Sequence, residues 1–487
     1  MQTKLAERSV GSKGMMSTKL TIVPADPNEE IPMKKGAAAA ATTADGKQAK
    51  KIKNEDLKNA LKSEKAAGVG YWLPRHAMVK LMAECIDEHN ALRGTCKIDL
   101  LCGQECVSIL PTRKVNASNV VIVTAKDVDG SLKLHQATLV VGADGMNSKV
   151  RQCIATSPTN IWEGGLDPKK FELKQWTSPA SHLRIKVLQL PPRFEIPNAN
   201  GKPPLTSTSE EIYALRSVKT GPRNYLSLGL LPMKDNNAVR PTNIVTRPDH
   251  EVWDIHDGPA MQAYFQEAYP RFDFVSDKLI SAQEWERFAK AKGTKFPHCQ
   301  YSEGLAVWDG TGTCGVALVG DACHAFPPDI GQGVNAGLCD VVSLDRALKG
   351  LNTETGKVVA SSDGKRTASL QKNLERYQQQ HAPENAALIR LARFGAPYQY
   401  KQPHRADRVL LKLWTLNVAV RLILSKLTFG LVPPSSIILS QNEKLTYRQV
   451  MRRADLTTAV FKAIFLGVFG LLMKQRFGFG FLKALFA

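Results

Sequence analysis

Residues 315–342, GVALVGDACHAFPPDIGQGVNAGLCDVV, leave the chain few choices of fold. A short apolar run, Val316 to Val319, breaks at Gly320-Asp321. A Pro-Pro turn and a Gly-Gln-Gly follow, and a helical pattern begins at Val334. A strand, an acidic turn and a glycine-rich helix start, in that order, describe an α/β unit whose helix N-terminus faces a ligand. Asp321, at the end of a buried strand, is placed to accept hydrogen bonds from a ribose or ribitol hydroxyl, although the plainer reading is a helix cap. Pro328 stiffens the turn. The backbone of Gly331, Gln332 and Gly333 can approach a flat ligand because the two glycines carry no Cβ. The helix that starts there offers N–H groups to negative charge developing on that ligand.

A second unit of the same kind precedes it. The stretch VVIVTAKDVDGSLKLHQATLVVG, residues 120–142, alternates in hydrophobicity and turns at Asp129-Gly130, which signals a hairpin. Val140-Val141 end the returning strand. In GADGMNSKVR, Gly142 and Gly145 permit a tight turn, and Ser148, Lys149 and Arg151 open the next helix. A phosphate there would meet backbone N–H groups, the positive helix end and the Arg151 guanidinium. An ordinary strand–turn–helix is the plainer alternative.

The chain of 487 residues, 43% of them hydrophobic, has room for roughly two to three domains and a large core. Its net charge of +20 favours anionic partners and says nothing about fold. Nine cysteines in so long a chain are not a disulfide framework. The closest group, Cys96, Cys102 and Cys106, lacks the pairing and fourth ligand of a zinc site. These three read as buried structural thiols in a reducing, intracellular compartment, and no metal is expected. Residues 1–66 are Lys- and Ala-rich, too poor in apolar area to offset ordering entropy, and are expected to be disordered. They lack the apolar core of a secretory signal. They also lack interleaved aromatics for base stacking, so no nucleic-acid partner is expected.

Three stretches together carry a family resemblance. GADGMNSKVR, GDACHAFPPDIGQGVNAGLCD and LPRHAMVKLM, in which Arg75 precedes apolar Met78, Leu81 and Met82, resemble the fingerprints of the flavin-dependent aromatic hydroxylases. These are the single-component FAD monooxygenases typified by para-hydroxybenzoate hydroxylase and kynurenine 3-monooxygenase, and the likeness is nearest to the latter. The resemblance spans residues 70 to 350. It implies a mixed α/β chain. An FAD-binding, doubly wound (Rossmann-like) domain would occupy 67–160 and 295–350, a β-rich substrate domain 161–294, and a helical region 351–487. Carried over by motif, Arg75 would contact the FAD phosphate or ribose. Asp144 and Gly145, with Arg151, would lie near the pyrophosphate and the incoming nicotinamide nucleotide. Gly320 and Asp321 would meet the ribitol, and Pro328, Gly331, Gln332 and Gly333 would line the isoalloxazine. Asn335 would sit close to ring and substrate. His324 reads as packing rather than catalysis.

The chemistry so implied is the cofactor's. NAD(P)H reduces FAD, O2 converts it to a flavin hydroperoxide, and one oxygen atom enters a small, electron-rich, kynurenine-like ring. No protein nucleophile or metal is required. Family members open with a strand and G-x-G-x-x-G, whereas here Gly11 and Gly14 follow no strand pattern and residues 68–70 and 478–480 lack the third glycine. A truncated form of a longer protein, with a crippled adenosine half of the site and weak FAD affinity, is therefore expected. Residues 390–400 also lack the Asn-Tyr pair of the kynurenine hydroxylases. The apolar, cation-flanked stretches 409–432 and 459–473 fit an interfacial anchor on an anionic, organelle-type membrane surface. The alternatives are a same-fold epoxidase or reductase acting on an apolar isoprenoid, or a truncated non-catalytic relative.

Overall fold

The structure is a computed structural model. It describes residues 2–12, 19–32, 70–92, 94, 96–112, 119–158, 160–162, 167–199, 201–218, 226–276, 278–352, 369–398, 405–442 and 444–485. A parallel pair of strands, Leu139–Gly142 and Gly315–Leu318, positions the site, with Leu139 opposite Gly315 and Gly142 opposite Leu318. Both strands therefore end at one level. Each leaves into a glycine-bearing turn and then a helix, Lys149–Ala155 after the first and Gly333–Leu348 after the second. Ala306–Trp308 flanks the second strand antiparallel. All four residues of Gly315–Leu318 are buried, as in a strand covered on both faces. Gly315 has no room for a side chain: a Cβ there would lie 2.5 Å from Leu374 and 2.6 Å from the Val307 carbonyl oxygen. Ile154, Phe171, Val307, Leu318, Leu344 and Tyr377 belong to the core around this pair. The mixed α/β class expected from the sequence is the one the chain adopts.

The hairpin at Asp129-Gly130 forms as expected, Val120–Lys126 pairing antiparallel with Leu132–Ala137. Its returning strand stops at Ala137, and Leu139–Gly142 begins anew in the parallel sheet. A larger, six-stranded sheet has the spatial order Thr294–Lys295, Arg184–Leu190, Arg240–Thr246, Ser227–Leu230, Ile212–Arg216, Leu20–Val23. Along Arg184–Leu190, Lys186, Leu188 and Leu190 are buried while Val187 and Gln189 are exposed. That is the period of two expected when one face meets a core. Phe265 from helix Gly258–Ala268, and Trp285 and Phe288 from helix Ala282–Lys290, fill the same core. Side chains start both helices: Asp257 accepts the Ala260 N–H, and Ser281 accepts the Glu284 N–H.

The edge strand corrects the sequence reading, which left residues 1–66 without structure. Leu20–Val23 pairs parallel with Ile212–Arg216, Val23 is fully buried, and Gln2–Arg8 forms a helix. Arg271 secures the segment by donating to the carbonyls of Pro24 at 2.8 Å and Glu29 at 2.6 Å. The Lys- and Ala-rich average hid a short run, LTIV, that is mostly β-branched and suits a half-buried sheet edge. Residues 1, 13–18 and 33–66 of that expectation lie outside the described residues. The cysteine trio is a second correction. All nine cysteines are free, but Cys96 and Cys102 are exposed and Cys106 is only half-buried, because residues 96–101 run irregularly along the surface. Among the described residues no helix is long and apolar enough to cross a membrane.

The placement of the edge strand is testable by unfolding. Val23→Asp puts a carboxylate into the core and should lower stability by roughly 2–4 kcal/mol in urea titrations. An unchanged midpoint would remove Leu20–Val23 from the sheet.

Candidate functional site

The two glycine turns emerge side by side at the C-terminal ends of the parallel strands, where open α/β sheets take their ligands. The Val319 N–H donates to the Gly142 carbonyl at 3.0 Å. Arg151 ties the turns together. Its buried guanidinium donates from Nε to the Ala322 carbonyl at 2.9 Å and from a terminal nitrogen to the Met146 carbonyl at 3.3 Å. Burial lowers its pKa, with Asp144 and Cys323 opposing. The sequence reading put this guanidinium on a phosphate; the fold turns it inward as a brace. The start of helix Lys149–Ala155 is engaged as well. Asp144 Oδ2 accepts the Lys149 and Val150 N–H groups at 2.6 and 3.1 Å, and Ser148 Oγ accepts the Arg151 N–H at 2.9 Å. The N–H groups expected to meet an anion are thus satisfied within the protein. Gly145, at φ +80°, has open space where a Cβ would stand.

One carboxylate fixes the second turn from beneath. Asp340, 1% exposed on helix Gly333–Leu348, accepts hydrogen bonds from a backbone N–H and two histidines, with the Cys323 thiol a weaker donor at 4.0 Å. The Gly320 N–H reaches Oδ2 at 2.6 Å, His324 Nε2 reaches the same oxygen at 2.8 Å, and His381 Nε2 reaches Oδ1 at 2.5 Å. Burial by itself would raise the Asp340 pKa. The charge and hydrogen bond of His324, with those of His381, outweigh it and hold the carboxyl below the usual range. For His324, burial would lower the pKa, and the Asp340 charge and hydrogen bond raise it instead. Tyr377 closes the base, donating its hydroxyl to the Leu318 carbonyl at 2.9 Å and stacking on the His381 ring at 5.4 Å. Gly320, at φ +61°, lies so close to the helix that a Cβ on Gly337 would be 3.6 Å from its Cα. Cys323, His324 and Asp340 are close enough to share a metal ion, but His324 Nε2 and the Asp340 carboxylate are turned on each other.

The turn is open on its other side. Asp321 is exposed by accessible surface, yet surrounding protein desolvates its carboxyl enough to raise the pKa; Asp340 adds to the rise, while His324 and Arg75 pull it down. Arg75, exposed at the start of helix Arg75–Ala91, is thereby brought to Asp321 from far away in sequence. Helix Gly333–Leu348 begins after Gln332 without a side-chain cap, which leaves its start free for a ligand. Gly331 has φ +63°, and no atom lies within 4 Å of a Cβ built on Gly333. Pro328, Gly331, Gly333 and Asn335 are exposed. Gln332 Oε1 is held by Tyr447 OH at 3.2 Å and Asn335 Nδ2 at 3.4 Å. A cavity of about 330 Å³ adjoins the first turn, lined among others by Met146, Asn147, Arg151, Gln175 and Gln300.

Residues 311–376 match the family model described as an FAD binding domain. That span holds the Asp340 base and the whole Pro328–Gly333 turn. Among solved structures, the chain is similar to the tetrameric form of 2-methyl-3-hydroxypyridine-5-carboxylic acid oxygenase, at 19% identity and TM-score 0.35, over 63% of this chain and 61% of that one. It thus spans less than two thirds of that protein. It is also similar to Klebsiella pneumoniae HpxO, complexed with FAD and uric acid, at 17% identity and TM-score 0.38, over 71% of this chain and 69% of that one. A third likeness is to PqsL, a probable FAD-dependent monooxygenase from Pseudomonas aeruginosa, at 16% identity and TM-score 0.41, over 81% and 80%. These are distant likenesses.

The residues fit the ribitol and ring half of an FAD: an exposed acid at a strand end, an uncapped helix start, and a glycine facing open space. The phosphate half fits less well, because Asp144 and Arg151 are engaged internally. Sequence reasoning missed Asp340 and His381. The signal for Asp340 was an acid set one helical turn from Ala336 and from Leu344, on the stripe that the helix buries. His381 carried no local signal.

Asp340→Asn removes the charge that holds His324 and should cost roughly 3–5 kcal/mol of stability. The sign of the pH dependence follows from His324. Its contribution is full below about 6.5, the ordinary imidazole value, and is lost as pH rises through the raised folded value. The wild-type melting temperature should therefore fall above that point, and Asp340→Asn should flatten the fall. Parallel pH profiles for the two proteins would refute the assignment.

Proposed function

We propose that this chain acts as an FAD-dependent monooxygenase, using NAD(P)H and O2 to hydroxylate a small aromatic, kynurenine-like substrate. One observation carries the reading. Asp321 stands exposed at the end of a fully buried strand, beside a long helix with an uncapped start, inside the segment that matches an FAD binding domain. Bound FAD would supply the redox chemistry, taking hydride from NAD(P)H and activating O2. The protein's part is positional. Asp321 would accept from a ribitol hydroxyl, and the helix start at Gly333 would present N–H groups and positive potential to an electron-rich ring edge. Pro328 and the Gly331–Gly333 turn would line the ring, and Asn335 would stand close to ring and substrate. Arg75 offsets the negative charge gathered at Asp321.

A membrane surface belongs to the same proposal. Along helix Arg405–Leu427, Val409, Leu413, Leu416, Val420, Ile423 and Leu427 recur every three or four residues and are all exposed. Phe429 and Leu431 follow at 98% and 87% exposure. Exposed Arg408, Lys412 and Lys426 accompany them. An apolar face flanked by cations suits an intracellular, anionic lipid surface.

Two measurements test these readings. FAD added to the purified chain should lose fluorescence on binding, and Asp321→Ala should weaken binding by about 1–3 kcal/mol, the weight of one hydrogen bond to a charged group. Failure of the wild-type chain to bind FAD, or equal affinities, would sink the cofactor assignment. In sedimentation with phosphatidylserine vesicles, the wild-type chain should pellet and Leu413→Glu/Leu416→Glu should remain in the supernatant. Identical partition would count against a lipid-facing helix.

A further inference from the structure

We propose that Asp329 is the residue by which this site selects its substrate, its buried carboxyl taking a hydrogen-bond donor on an aromatic ring: a heteroaromatic N–H, or a ring hydroxyl or amino group. The inference rests on the monooxygenase reading and specifies a substrate class for it.

The turn is built to send this one side chain inward. Pro327 and Pro328 fix the backbone entering the single 3-10 turn Pro328–Ile330, and Gly331 reverses it at φ +63°. Pro328 and the Gly331–Gly333 segment stay on the surface, while Asp329 is left 7% exposed beneath them. Its Oδ1 has no hydrogen-bond partner in the protein. Buried polar atoms are nearly always satisfied, so an exception beside a ligand turn marks a place where the ligand completes the set. Burial pushes the carboxyl up to about 7, its own backbone N–H opposing. The group is therefore poised between acceptor and donor near neutral pH.

Its surroundings give the ligand a shape. The charge of Asp329 is felt at the buried thiol of Cys299, where Ser178 and Arg393 also act. Cys299 opens strand Cys299–Ser302 and stands opposite Trp176 on Leu173–Trp176. Successive side chains on these strands point to opposite faces. Gln175 and Gln300 line the cavity beside the first turn, which assigns Trp176, Cys299 and Tyr301 to the other face, toward Asp329. There the Trp176 and Tyr301 rings stack at 5.8 Å and 14°, and the Arg393 guanidinium lies 4.8 Å over Trp176. Phe326 and Ile330 belong to the same cluster. A carboxyl on the same face of the sheet as the Trp176 and Tyr301 rings matches a planar ring that carries a donor. A ring without a donor would leave Oδ1 unpaired, which is the strongest form of discrimination a buried polar group provides.

The test uses the full chain and two rings of one shape: indole, which has an N–H, and benzothiophene, which has sulfur in its place. Isothermal titration should show indole bound about tenfold more tightly by the wild-type chain. Asp329→Leu should bind the two alike. Asp329→Asn, nearly isosteric, serves if the leucine variant does not fold, and its preference should fall by at least about threefold. Equal binding of both probes by the wild-type chain, binding of neither, or an undiminished preference in the variants overturns the proposal. FAD fluorescence measured on the same samples separates the two failures. A chain that binds FAD without preferring indole loses only the Asp329 assignment. A chain that prefers indole through Asp329 but binds no FAD loses the monooxygenase reading and keeps the donor site.

Discussion

A single buried carboxylate organises the site. Asp340 is removed from water on a helix, where an unpaired charge would be prohibitively unfavourable, and the fold brings it donors from three other segments: the Gly320 backbone, His324 and His381. Each is satisfied only if the turn, the strand after it and helix Leu370–Phe394 hold their relative positions. Asp321 owes its place to this arrangement, since it follows Gly320 directly on a turn whose glycine almost touches the helix. The carboxylate and His324 stabilise each other's charged forms, so the network behaves as a unit rather than as separate bonds.

The two glycine turns resemble each other in sequence and do different work. In the first, the N–H groups at the helix start have internal partners: Asp144 and Ser148 hold them, and Arg151 reaches across to Ala322. That turn is a clamp. In the second, the Asp340 bonds lie underneath, and the upper side keeps an exposed acid and an uncapped helix start. Leaving such groups unsatisfied is unfavourable in the isolated protein and favourable once a ligand supplies the partners. The unpaired oxygen of Asp329, a few residues along the same turn, follows the same logic.

Much of this was legible in the sequence where the determining forces are local. Alternation and Asp-Gly set the 120–137 hairpin, and strands Arg184–Leu190, Arg240–Thr246, Ser227–Leu230 and Ile212–Arg216, all inside the stretch expected to be β-rich, lie side by side in one sheet. The turn residues Gly320, Asp321, Gly331 and Gly333 were identifiable because the backbone conformations and close approaches they permit belong to glycine. Averages misled: LTIV vanished into a lysine- and alanine-rich composition, and Cys96, Cys102 and Cys106 read as buried although the first two are exposed.

What the sequence by itself determined was therefore the inventory of elements and the turns at which a ligand can approach, since period, β-branching and glycine act over a few residues. Only the tertiary structure decided which way the functional groups point. Arg151 turned inward because a carbonyl 171 positions away, on Ala322, completes its hydrogen bonds. His381 joined the site because helix Leu370–Phe394 packs it against Asp340, 41 positions earlier. Asp329 went under its turn, and Asp321 stayed outside, because the core closes beneath one and not the other. Burial and charge compensation are properties of the assembled surface, and no window of sequence contains them.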